Sequence, residues 1–155
     1  MRIGEHLIKA WSRTQQCVTM SSAEAELVAM VKASAEALGL LSMAKDLGNE
    51  VRRKAAILGD SSAALAVAGR KGCGKLRHIN VGLLWIQEKQ ENGQIDYRKV
   101  AGAINSADLM TKHVSQAVME GHCQRLGQSF RAGRAKEAFK AQVKGTQGEK
   151  GGVVT

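Results

Sequence analysis

The segment that most restricts the fold is Ala55-Ala56-Ile57-Leu58, an apolar run too short to be a helix and bounded by Gly59-Asp60-Ser61-Ser62. A run of this length between turn signals reads as a buried strand that ends in a turn. Helical patterns lie on both sides of it. The whole chain then reads as strand, helix, strand, helix, helix, strand, helix, and alternation of this kind argues for an α/β layer structure. The sequence holds 17 glycines and no proline, which favours helices joined by glycine turns over a loop-rich all-β fold. Its 155 residues amount to one domain. Aromatics make up only 3%, so the core must be built from Leu, Val, Ile, Met and Ala.

The individual elements follow from local chemistry. His6 to Met20 reads as extended, with strand character at Val18-Thr19-Met20. Ser21-Ser22-Ala23-Glu24 fits a capping box that opens a long helix. Its apolar positions include Leu27, Val31, Leu38, Leu41 and Leu47, with Gly48 as the stop. A short helix is predicted from about Ser62 to Ala68, followed by a basic, glycine-rich loop from Gly69 to Arg77. A second substantial helix runs from His78 to Gln90, and Asn92-Gly93 marks a turn. Ile95 to Val100 has a strand pattern, and parallel pairing with Ile57-Leu58 is expected because helices connect the two. Asn105-Ser106-Ala107-Asp108 opens a final helix. The expected division is a folded part, 1–126, and a basic, disordered tail, 127–155.

Bulk chemistry narrows the class of function. The net charge of +9 suits a polyanionic partner such as nucleic acid, although a basic protein with no such partner carries the same charge. Cys17, Cys73 and Cys123 are scattered and odd in number, the pattern of a reduced, intracellular chain, cytoplasmic or nuclear. His113, His122 and Cys123 match no common zinc spacing. No apolar run approaches the ~20 residues of a membrane span, and the start does not resemble a signal peptide.

Three carboxylates stand at informative places. Glu26 is in the first turns of the long helix, Asp60 follows the buried strand, and Asp108 is near the start of the last helix. Strand ends and adjacent helix starts converge on one rim of an α/β sheet, where ligands bind. Clustered carboxylates repel one another, and a divalent cation such as Mg²⁺ relieves that repulsion. The helix dipole alone also accounts for acids at helix starts, Asp108 included, and Asp60 could simply cap the next helix. Glu24 is assigned to capping. Arg70, Lys71, Lys75 and Arg77 crowd one loop, which is either a phosphate-contacting surface or a solvated loop. His78 either orders the helix start or reaches substrate.

Five segments in order resemble the ribonuclease H domain of copia-type retrotransposon polyproteins. They are Ala10-Trp11-Ser12-Arg13-Thr14-Gln15, Ser21-Ser22-Ala23-Glu24-Ala25-Glu26-Leu27, Gly59-Asp60-Ser61-Ser62-Ala63-Ala64, Lys75-Leu76-Arg77-His78-Ile79 and Ala107-Asp108-Leu109-Met110-Thr111-Lys112. The resemblance implies a ribonuclease H-like α/β fold, here a truncated mixed sheet flanked by helices. It implies cleavage of the RNA strand of RNA–DNA hybrids, with four acidic residues holding two Mg²⁺ ions. Glu26, Asp60 and Asp108 match the second, third and fourth of these, and are expected to converge closely enough to share metal. Ser61, Lys75, Arg77 and His78 are the implied nucleic-acid contacts.

The sequence departs from the family at its start. The family's first acidic residue and first two strands have no counterpart, since the only acid before Glu24 is Glu5. Leu27 also replaces a tyrosine. Those two strands lie between the family's third and fourth. Their absence should detach the third strand and leave open edges at the centre of the sheet. The expected partners are therefore nucleic acid, the missing strands and the reverse transcriptase domain of a parent polyprotein, and no membrane. The expected state is an inactive copy, or alternatively a non-catalytic nucleic-acid-binding remnant.

Overall fold

The computed structural model describes residues 1–49, 54–74, 81–129 and 133. Strand β1 (Arg2–Ile3) pairs antiparallel with β2 (His6–Leu7) in a short hairpin. Helix α1 spans Ser22–Asp46, β3 Ala55–Gly59, α2 Ser62–Ala68, α3 Trp85–Glu91, β4 Ile95–Lys99 and α4 Gln116–Arg125. Three 3-10 turns lie at Val81–Leu84, Gly102–Ile104 and Ser106–Met110. The molecule is mixed α/β with small sheets.

The start of α1 is chemically fixed. Ser21 Oγ accepts the Glu24 N–H at 3.2 Å, and the Glu24 carboxylate accepts the Met20 N–H at 2.8 Å. The expected cap is present, with its return bond one residue further out than in the standard box. At the other end the helix stops at Asp46, and Gly48, at φ +79°, donates its N–H to Lys45 O. That left-handed conformation is open to glycine at no steric cost. Leu27, Val28, Met30, Ser34 and Ala37 form the buried stripe of α1.

The core joins α1, α2 and α3 to one face of the parallel pair. Leu27, Met30, Ala64, Val67, Ala68 and Ile86 are buried together, with Ile57, Leu65, Trp85 and Tyr97 packed around them. Strands β3 and β4 pair in parallel with Ala55 opposite Ile95, Ile57 opposite Tyr97 and Gly59 opposite Lys99, as expected from the helical connection. Tyr97 Oη and Ser34 Oγ share a hydrogen bond of 2.8 Å, which ties β4 to the middle of α1.

Several expectations need correction. Beyond β2, residues 8–20 form no strand, and Val18 is 98% exposed. A strand needs a neighbour for its N–H and C=O groups, and none is present among the described residues. The parallel and antiparallel pairs form two separate two-stranded sheets among the described residues, so the single mixed sheet is not seen, whereas the expected detachment is. Strand β3 is not buried on both faces: Ile57 turns to the core, while Ala56 and Leu58 face solvent, Leu58 at 58% exposure. Period-2 alternation, with helices on only one face of the pair, accounts for this. The last helix does not begin at Asn105; a 3-10 turn comes first, capped by Asn105 Oδ1, and α4 starts only at Gln116. The described part of the helix expected from His78 is 3-10 until Trp85.

Helix α1 is also long and apolar enough, by length and composition, to cross a membrane, contrary to the reading of the sequence. Its leucines, valines and methionines, with alanines between them, keep it apolar. In this fold its apolar stripe is spent on the core. The proposed boundary near residue 126 follows the end of α4; the tail beyond it is described only at 127–129 and 133.

Candidate active-site rim

Glu26 lies in the second turn of α1, Asp60 directly after β3, and Asp108 in the 3-10 turn Ser106–Met110. The three carboxylates thus come from three separate segments. The Glu26 carboxyl is held above the usual glutamate range, first by partial burial, then by the negative charges of Asp60 and Asp108, against a lowering pull from Lys112. Lys112 in turn is raised by its hydrogen bond and charge pairing with Asp108, with Asp60 and Glu26 adding to the effect. Among the described residues, no three His, Cys, Asp or Glu side chains are placed so that they could hold a metal ion, so the three carboxylates do not come together as the metal-sharing cluster expected from the sequence. The charges of Asp60 and Asp108 nevertheless reach Glu26.

Each is positioned by ordinary local structure. The ladder continues from Val100 N–H to Gly59 O at 2.9 Å, which carries order to the residue before Asp60. Lys99, at the end of β4, donates to the Asp60 carbonyl and to Ser62 Oγ, both at 2.5 Å. Ser61 Oγ accepts the Ala64 N–H at 3.2 Å and so caps α2. A Cβ on Gly102 would stand 3.6 Å from Asp60 Oδ2, so this carboxylate lies beside the turn that follows β4. Asp108 is tied to Lys112 twice, by Lys112 N–H to Asp108 O and by the ion pair of Lys112 Nζ with Asp108 Oδ2, each at 2.9 Å.

Lys99 and Lys112 were not singled out by the reading of the sequence. The four-residue spacing of Asp108 and Lys112 was the available signal. For Lys99 the signal was its place at the C-terminal end of a strand parallel to β3. Of the expected nucleic-acid contacts, Ser61 has a capping role, while Lys75, Arg77 and His78 lie outside the described residues. In the described part of the same loop, Lys71 pairs with Glu91 at 2.5 Å and Arg70 donates to Cys73 O at 2.6 Å. His122 is buried and stands 3.3 Å from an Arg125 guanidinium nitrogen.

A raised glutamate in the rim has a measurable sign. Folding favours the protonated form of Glu26, so its contribution is present below the unfolded-state value and lost as pH rises through the folded one. Glu26→Gln should therefore be slightly more stable than the parent near pH 7, by less than about 1 kcal/mol because the residue is solvent-exposed. The difference should vanish near pH 3, where both side chains are neutral. Urea midpoints at the two pH values measure it; equal midpoints near pH 7 would contradict the repulsion.

The fold is mixed α/β, and the charges of Asp60 and Asp108 act on Glu26 from separate segments. The chain is similar to part of a retrotransposon Pol polyprotein. That relative is the retrovirus-related Pol polyprotein from transposon TNT 1-94 of Nicotiana tabacum, 27% identical over 110 residues, which is 70% of this chain. The chain spans 8% of the length of that polyprotein. No protein-family profile matches the chain, and no solved structure does.

Proposed function

We propose that this chain is the C-terminal part of a ribonuclease H domain of a retrotransposon polyprotein, supplying three of the four carboxylates of a two-metal site. The observation that carries the reading is the similarity of 70% of the chain to a segment of a retrotransposon Pol polyprotein, beside a Glu26 carboxyl raised first by partial burial and then by the charges of Asp60 and Asp108. Oxygen donors with negative charge in excess fit Mg²⁺, which keeps several waters and takes only a few protein carboxylates. When bound, such ions would activate water and stabilise the leaving oxygen of a phosphodiester. The chain's own residues do the rest. Lys99 holds the Asp60 turn, the α1 cap fixes the start of the helix bearing Glu26, and the basic residues attract the phosphates of a hybrid. Ser61, Lys75, Arg77 and His78 remain the proposed nucleic-acid contacts, and the missing strands and reverse transcriptase domain the proposed partners, in an intracellular setting.

Metal binding tests the site directly. Titrated with Mn²⁺ by calorimetry, the chain should show binding of defined stoichiometry, and Asp60→Asn should weaken it by about tenfold or more, since one charged ligand is lost. Indifference of Mn²⁺ binding to Asp60→Asn, or no binding at all, would remove the metal site. Hybrid binding that persists without metal would then favour a non-catalytic nucleic-acid-binding remnant.

A further inference from the structure

We propose that Lys112 is a tethered counter-cation, which holds Asp108 on the rim of the metal-free chain and must be displaced before a divalent ion can bind there. The inference rests on the metal-site reading of the rim. It starts from an asymmetry among the three carboxylates. Among the described residues Asp108 has an ion-pair partner, through Lys112, whereas none is seen for Glu26 or Asp60.

The pair differs from an ordinary surface contact. The Asp108 side chain is only 18% exposed, while that of Lys112 is 61% exposed. The acid is largely covered and the ammonium caps its open side. Main chain and side chain fasten the same two residues, because Lys112 N–H also donates to Asp108 O. The ammonium is therefore held at the rim by a short, closed linkage instead of arriving by chance.

A single positive charge here does two opposed things. Without metal it neutralises Asp108 and holds that carboxylate in place. Toward an incoming divalent ion it is a competitor for Asp108 Oδ2 and a like charge at close range. Swinging Lys112 into solvent is cheap, since its side chain is already mostly exposed. The device lowers metal affinity without closing the site, so occupancy would rise only where a further ligand or the substrate's phosphates add negative charge.

The test compares Mn²⁺ affinity in the full chain and in three variants, Lys112→Met, Lys112→Arg and Lys45→Met, by calorimetry and by the spin signal of free Mn²⁺. Lys45 lies in the last turn of α1, far along the helix from Glu26. Its loss controls for the change in net charge. The expected result is Mn²⁺ binding about five- to tenfold tighter in Lys112→Met, with the Lys112→Arg and Lys45→Met proteins near the parent. Unchanged or weaker binding in Lys112→Met, with the parent still binding Mn²⁺, would overturn the counter-cation and leave the metal site standing. Equal tightening in Lys45→Met would reduce the effect to net charge and overturn it too. Absence of Mn²⁺ binding from all four proteins would overturn both readings together.

Discussion

Incubated with a labelled RNA–DNA hybrid and Mg²⁺ or Mn²⁺, the chain alone should leave the RNA strand uncut, and cleavage should begin when an upstream segment supplies two further strands and an acidic residue. The charge argument comes first. Two divalent ions held ~4 Å apart repel strongly, and three carboxylates offset that repulsion less well than four. At this rim one of the three, Asp108, is also engaged by Lys112. Support is the second deficit. The free edge of β3 lies next to the turn bearing Asp60, and no described strand braces it. Catalytic groups must be held within about half an ångström of their working positions. In the completed protein, Asp60→Asn should lower the cleavage rate on the order of a hundredfold or more, because a charged metal ligand carries several kcal/mol of transition-state stabilisation. Gel analysis of the end-labelled RNA reads both parts. RNA cut by the chain alone, and spared by its Asp60→Asn variant, would show that the three carboxylates suffice.

The largest effect on stability is expected at Ile86. Its side chain is 0% exposed and sits where α3 meets α1 and α2, among Leu27, Met30, Ala64, Val67 and Ala68. Three of the five other buried residues of this cluster are small or β-branched and fixed on the short helix α2, so the gap left by truncation is poorly filled by rearrangement. Ile86→Ala should cost about 3–4 kcal/mol, the lost transfer energy plus the cavity. For a domain this small that is a large share of the total. The chain should lose most of its cooperative thermal transition. Val118→Ala, on an exposed position of α4, should change stability by about 0.5 kcal/mol or less. Circular dichroism melts distinguish the two, and similar melting of both variants would mean that Ile86 is not the keystone of this core.

What the sequence made legible was local. The capped start of α1, the short α2 and the Asn92-Gly93 turn each depend on a few adjacent residues, and each is where it was expected; Gly93 takes φ +67°. The parallel pairing of β3 with β4 followed from the length and helical content of the connection. Other features depend on what surrounds a segment. Val18-Thr19-Met20 has strand-forming side chains, but its state is set by the presence of a neighbour. Leu58 looks like a core residue by type, yet it lies on the uncovered face of β3. At the rim, the positions of Glu26, Asp60 and Asp108 could be marked from motifs. Lys99, which fastens the Asp60 turn, was harder to see, because it acts across strands and its partners are a backbone carbonyl and a serine.

The β3–β4 register has a consequence for the time course of folding. Ala55 pairs with Ile95, and the intervening chain must be gathered before any bond of that ladder forms. Closing such a loop costs entropy in advance of the contacts that repay it, and parallel pairings across helices are slow for this reason. Helix α1 needs no such closure, since its hydrogen bonds are local and its first turn is pre-capped. Early order therefore belongs to α1, and the ladder closes late. Asp60 stands at the end of that ladder, so the acidic rim is among the last features to acquire its shape.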